Sequence, residues 1–272
     1  MIEENPYMPI DARLEEVIEE TPTIKTFVLV PATPIEFRAG QFMQLTYPGV
    51  GEAPFTPSSN PNQPERIEIS ILKTGKVTDV LHEAKPGDTL GLRGPFGKGY
   101  PVDKFIGKDV LLIGGGVGMA PLRALVYALF NDIDKFASVS IKYGARSPAE
   151  LLFAREYKQW GSKKRVSFAE TVDVASDGWK GHVGVVTTLL DDLDIDIKKS
   201  YAVSCGPPIM LKFVAQKCLD LGYKPSQIYL SMNRKMSCGM GVCGRCNIGP
   251  YYLCKDGPDM CYEKIMNYEN VF

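Results

Sequence analysis

Asp109-Val-Leu-Leu-Ile-Gly-Gly-Gly-Val-Gly-Met-Ala-Pro121 is the stretch on which the fold turns. Asp109 to Ile113 is apolar without alternation, the pattern of a strand buried on both faces. Glycines follow, and Pro121-Leu-Arg-Ala-Leu-Val-Tyr-Ala-Leu-Phe130 then places apolar residues at helical spacing. Ser138 to Tyr143, Arg165 to Phe168 and Ser200 to Ser204 read as further short strands. Glu150 to Trp160 and Ile209 to Leu221 fit helices between them. Alternating β and α units predict a doubly wound parallel sheet from about residue 101.

Upstream the texture differs. Ile24 to Val30, Gln41 to Tyr47, Arg66 to Leu72 and Thr89 to Arg93 read as strands, and Ile67, Ile69 and Ile71 alternate with period two. Gly/Pro clusters at Pro48-Gly49, Pro54 to Pro64, Pro86-Gly87 and Gly94-Pro95 separate them. Short strands with no long helical pattern between them predict a small antiparallel barrel or sandwich.

Downstream, Cys238, Cys243, Cys246 and Cys254 form C-x4-C-x2-C-x7-C, with Gly239, Gly241 and Gly244 interspersed. C-x4-C-x2-C…C is the plant-type [2Fe–2S] spacing. Glycine lets the backbone wrap and turn N–H groups towards sulfur. Cys261 is a rival fourth ligand, and a structural zinc site could use the same four thiolates. Met232, Met236 and Met240 around the segment read as apolar shielding, and Cys218, in a helical apolar pattern, as core.

The chain has 272 residues, 44% hydrophobic and 23% charged, with net charge −1. That length suggests two domains and an appendage, and the charge gives no bulk attraction to nucleic acid or membrane. The first residues show no signal-peptide pattern and no long apolar run spans a membrane. Seven cysteines, four of them between 238 and 254, suggest ligation in a reducing compartment, the cytoplasm, not a disulfide framework. His82 and His182 sit in no ligand spacing, which leaves them surface or hydrogen-bonded structural roles.

The glycines between strand and helix let a backbone approach a pyrophosphate, whose charge the helix N-terminus favours. A tight turn without ligand is the alternative, since the spacing is not the usual G-x-G-x-x-G. Cys205-Gly-Pro-Pro208 also ends a predicted strand, at the edge where open α/β sheets bind ligands. In the first part, Gly51-Glu-Ala-Pro-Phe-Thr-Pro-Ser-Ser59 and Gly75-Lys-Val-Thr78 are, taken singly, compatible with solvent-facing turns.

Taken with the cysteines and Tyr252-Leu-Cys-Lys-Asp-Gly-Pro258, these segments resemble the ferredoxin-reductase superfamily, in the branch that ends in a [2Fe–2S] domain. The resemblance runs from about Pro9 to about Pro258. It is nearest to the flavin subunits of sulfhydrogenases and anaerobic sulfite reductases, and further from the electron-transfer subunit of dihydroorotate dehydrogenase. It implies an FAD-binding β-barrel over residues 1–100, an NAD(P)-binding Rossmann-like domain over 101–228 and a cluster domain over 229–272. Ala53, Pro54, Phe55, Thr56, Ser70, Ile71, Leu72, Val77 and Thr78 would then border FAD. Gly115, Gly116, Val117, Gly118, Cys205, Gly206 and Pro207 would receive NAD(P)H, and the four cysteines would ligate the cluster.

The implied function is electron transfer between NAD(P)H, FAD and the cluster, to or from another subunit of a reductase or hydrogenase complex. A hydride carries two electrons and the cluster takes one, so a flavin stands between them. No side chain is needed as general acid or base, and Thr56 is the candidate for a hydrogen bond to flavin N5. A stand-alone NAD(P)H-dependent flavin oxidoreductase and a zinc-binding regulatory module are the competing classes. One departure stands out: the superfamily's R-x-Y-[ST] reads Ala53-Pro-Phe-Thr56 here. Arg93 is the expected substitute cation for the flavin phosphate. Arg146 could meet a 2′-phosphate or face solvent, which leaves NAD and NADP unseparated.

Overall fold

The computed structural model describes residues 5–176 and 178–272. The first part is an antiparallel sheet of β1 (Ile10–Thr21), β2 (Ile24–Pro31), β3 (Phe42–Tyr47), β4 (Gly51–Phe55), β5 (Ile67–Leu72) and β6 (Thr89–Phe96), in the order β4-β3-β6-β1-β2-β5. Helix α1 (Lys76–Leu81) lies against β3 and β4, and the edge strands β4 and β5 approach each other. Ile67, Ile69 and Ile71 are fully buried among Phe27, Leu29, Met43 and Leu45, as the period-two pattern requires.

Short α2 (Val102–Phe105) leads into the second sheet, which contains β7 (Asp109–Gly115), β8 (Ser138–Ala145), β9 (Val166–Val172) and β10 (His182–Val183). It continues with β11 (Ser200–Cys205), β12 (Ile228–Ser231) and β15 (Asp259–Cys261), in the order β10-β9-β8-β7-β11-β12-β15. All neighbours are parallel except β12 and β15. Helices α3 (Met119–Asn131), α4 (Tyr157–Ser162) and α5 (Pro208–Asp220) belong to this part. Val110 to Ile113 are fully buried, which is why β7 shows no alternation.

The cysteine segment contains the small pair β13 (Asn247–Ile248) and β14 (Tyr251–Tyr252), then α6 (Leu253–Asp256) and α7 (Tyr262–Ile265). Between those helices β15 returns to pair with β12. The cluster segment therefore leaves the parallel sheet and re-enters it. Among the described residues, no helix is long and apolar enough to cross a membrane.

The expected helix over Glu150 to Trp160 forms only at its end. Phe153 takes a left-handed φ of 57°, between two 3-10 turns. Leu152 explains the break: its N–H donates to Tyr143 Oη at 3.1 Å, and its carbonyl accepts from Tyr157 Oη at 2.5 Å. Those bonds hold three consecutive apolar residues, Leu151 to Phe153, in the core.

The two large parts are joined by a buried cation. Arg123 on α3 reaches Glu68 of β5 at 2.5 Å and Glu156 at 2.7 Å, over the Phe153 ring at 4.5 Å. Removing one partner of such a network leaves charge buried without compensation. Arg123→Ala is expected to lower unfolding free energy by about 3–5 kcal/mol, read from urea melts.

Candidate functional site

β7 has β8 on one side and β11 on the other, so the chain reverses direction across the sheet beside it. A crevice opens at such a switch point, at the carboxyl ends of the strands. Gly115 to Gly118 and Cys205 to Pro207 both emerge there, because β7 and β11 pair in register up to Gly114 and Cys205. The two turns touch. A Cβ on Gly118 would lie 2.5 Å from the carbonyl carbon of Cys205 and 2.7 Å from Gly206 N. Only glycine permits that approach.

Tyr143 donates a hydrogen bond to the Gly116 carbonyl at 3.1 Å and so steadies the turn. Helix α3 starts at Met119, and its first N–H groups have no intrahelical acceptor. Burial pushes the Cys205 thiol up to about 12, so it is held as a thiol. Arg146 is exposed just beyond β8.

The segments expected at the flavin lie in the first sheet and beside it. Ala53, Pro54 and Phe55 are half-buried on edge strand β4, with Thr56 following. Ser70, Ile71 and Leu72 end β5, which touches the Gly116–Gly118 turn. Val77 packs near Gly51, and Thr78 Oγ1 accepts the N–H groups of Thr74 and Gly75, each at 2.9 Å. Of these segments, β5 is the one in contact with the Gly116–Gly118 turn. Ser70 is already engaged: its hydroxyl lies 2.7 Å from Thr26 Oγ1 and 3.1 Å from Ser58 Oγ. His82 is structural, with Nε2 2.9 Å from the Ile71 carbonyl and its pKa lowered by burial.

Arg93 is not available to a phosphate, contrary to expectation. Its guanidinium is buried, bonded to Glu52 at 2.8 and 2.5 Å and to the carbonyls of Ser237 and Cys238 at 3.2 and 3.0 Å. Sequence could not reveal this, because its partners come from distant segments.

The four cysteines come together in the third part. Cys246 and Cys254 sulfurs lie 3.4 Å apart. Cys243 is exposed on the same loop. Positive φ at Gly239, Gly241 and Gly244 turns the loop inward, and Gly241 N–H donates to Cys254 Sγ at 3.0 Å. Met240 and Val242 N–H groups donate to Cys238 Sγ, each at 3.4 Å. Burial works to raise the Cys238 thiol, but the N–H groups of Cys243, Met240 and Val242 outweigh it and bring it down to about 6.

Met232 and Met236 pack in one apolar cluster with Cys238, Cys246 and Cys254. Cys261 points elsewhere, its sulfur 3.7 Å from the Ser226 carbonyl. Cys218 is fully buried on α5. Among the described residues no three His, Cys, Asp or Glu side chains close around one metal-ion position. The one close sulfur pair is Cys246 with Cys254.

Sequence reading missed a buried polar knot at the meeting of the three parts. Ser231 Oγ donates to Asp259 Oδ1 at 2.6 Å and lies 2.8 Å from Tyr100 Oη, while Asp259 Oδ2 has no partner. Burial pushes the Asp259 carboxyl up to about 8. Its members are scattered singly through the sequence, without any motif.

Comparison with known proteins agrees with this architecture. Residues 11–100 match an oxidoreductase FAD-binding domain and residues 112–216 an oxidoreductase NAD-binding domain. The sulfhydrogenase 1 gamma subunit of Pyrococcus furiosus is 36% identical over 98% of this chain and 95% of its own. A probable dihydroorotate dehydrogenase B (NAD(+)) electron transfer subunit of Methanocaldococcus jannaschii is 35% identical, over 94% and 91%. A chain of the NADH-dependent reduced ferredoxin-NADP oxidoreductase structure superposes with a TM-score of 0.75 at 26% identity, covering 94% of this chain and 91% of that one. With both oxidoreductase domains present and near full-length likeness to these subunits, the chain belongs to the ferredoxin-reductase superfamily, alongside the sulfhydrogenase gamma and dihydroorotate dehydrogenase electron-transfer subunits.

Proposed function

We propose that this chain is the electron-transfer flavoprotein subunit of a larger reductase or hydrogenase complex, passing electrons between NAD(P)H, FAD and a [2Fe–2S] cluster. The observation that carries the proposal is the glycine-turned cysteine loop, with the Cys246 and Cys254 sulfurs 3.4 Å apart and backbone N–H groups directed at Cys238 and Cys254, in a chain with FAD- and NAD-binding domains. A two-iron core takes four thiolates, two on each iron, whereas a single zinc gathers all four about one point. N–H groups directed at sulfur suit a cluster that gains negative charge on reduction.

The three-part organisation, 1–100, 101–228 and 229–272, belongs to the same reading, with β12 crossing the second boundary as far as Ser231 and β15 returning to the second sheet. Gly115 to Gly118 and Cys205 to Pro207 would hold the pyrophosphate and nicotinamide end of NAD(P)H. Ala53 to Thr56, Ser70 to Leu72, Val77 and Thr78 would hold FAD, with the Thr56 hydroxyl directed to its ring. Bound flavin supplies the exchange of one hydride for single electrons. The protein's part is to place the nucleotide crevice, β4 and the cysteine loop in sequence, with Met232 and Met236 keeping water from three of the sulfurs. Cysteine usage supports a cytoplasmic setting.

The named relatives are subunits of multi-chain enzymes, which supports a partner subunit as donor or acceptor. Anaerobic purification from native cells tests the whole proposal. The expected result is protein carrying flavin, iron and labile sulfide, bleached by NAD(P)H, with a second redox subunit co-purifying. Colourless, zinc-loaded protein would overturn it, and so would a monomer that turns over a soluble substrate undiminished after loss of the cluster.

A further inference from the structure

We infer that Arg93 and Glu52 form a positioning device that ties the flavin-facing strand to the cysteine loop and favours the reduced cluster, an inference resting on the cluster reading above. The Arg93 side chain is only 5% exposed, although it carries a permanent charge. On one side Nε and Nη2 donate to the two oxygens of Glu52. On the other, Nη1 and Nη2 donate to the carbonyls of Cys238 and Ser237. Phe96 packs against the guanidinium at 5.3 Å. Gln44 of β3, fully buried, donates to the Met236 carbonyl and to that of Ser237 at 3.4 Å. Three successive carbonyls of the cluster loop, Met236 to Cys238, are therefore gripped by side chains of β3 and β6.

The geometry couples two sites. Glu52 stands on β4 immediately before Ala53, so the same ion pair fixes the strand proposed to face FAD. Cys238 is the first proposed ligand. A shift of either site must be transmitted through a buried, fully engaged guanidinium or else break it.

The charges are also ordered. The cation donates to the carbonyl of the proposed ligand residue itself, and Glu52 is held on the adjacent Nε/Nη2 edge. Reduction adds one negative charge to the cluster, and a nearby cation in a partly dry setting stabilises that form more than the oxidised one. Since guanidinium does not deprotonate in proteins, this bias is independent of pH in the working range.

The test is an EPR-monitored redox titration of the anaerobically reconstituted full chain. In Arg93→Met, the reduced form is expected to lose roughly tenfold in stability relative to the oxidised form, a midpoint lower by about 59 mV. Glu52→Gln should move the midpoint the opposite way, and Glu52→Gln/Arg93→Met should fall between the parent and Arg93→Met. Arg93→Lys keeps the charge without the fork, so its midpoint should fall less while its EPR line broadens. The double variant leaves no unpaired carboxylate and serves if Arg93→Met fails to fold. Parental midpoints in the variants that hold a cluster would overturn the inference alone. A parent chain without iron, labile sulfide or an EPR signal would instead remove the cluster reading, and the inference with it.

Discussion

Cys254→Ser protein, prepared anaerobically, is expected to keep its flavin but lose labile sulfide and the reduced-cluster EPR signal. Cys261→Ser protein should keep both. Cys254 lies 3.4 Å from Cys246 and accepts an N–H from Gly241, so serine at 254 would open that sulfur pair. Cys261 stands on β15, paired with Tyr229, with its sulfur towards the Pro225 and Ser226 carbonyls. It cannot reach the loop while that strand is in place. Iron and sulfide assays, with flavin absorbance as the internal control, decide the matter. The reverse pattern would assign Cys261 as the fourth ligand and require the β12–β15 pairing to open.

Gly118→Ala is expected to have the next largest effect, a loss on the order of a hundredfold in the rate at which NAD(P)H reduces the flavin. The added methyl would meet the backbone of Cys205 and Gly206, neither of which is the movable end of a side chain. The two turns at the crevice must part, and with them the surface proposed to receive the pyrophosphate. Overpacking of this kind costs about 1–3 kcal/mol in stability as well. Reduction by dithionite bypasses the crevice and should proceed as in the parent. Stopped-flow traces with NADH and with dithionite therefore separate a damaged nucleotide site from a damaged fold. Equal loss with both reductants would show that Gly118 serves the fold only.

Much of this architecture could be read from residues alone, and the reasons are specific. β7 and α3 were legible because a doubly buried strand, a glycine turn and an amphipathic helix differ in periodicity. β5 was legible because Ile67, Ile69 and Ile71 all point inward. β1 was not, since only Ala12 and Leu14 of its first half are buried and its register shifts between Leu14 and Glu16. β4 was hidden by Pro54, which a strand tolerates at an edge, the position β4 occupies. Among site residues, the cysteine spacing was informative because its ligands are local. Arg93 was misread because its surroundings are created by contacts 41 and 145 residues away. The Ser231, Asp259 and Tyr100 knot has no local signature either.

The short strand β15 bears on how electrons would leave in the proposed role. By returning to β12 it anchors the cysteine segment at both ends, so the loop proposed to hold the cluster cannot swing like a carrier on a tether. In the proposed role, delivery is then by approach of the other molecule. The edge it would meet holds Cys243 and Val242, the latter 72% exposed.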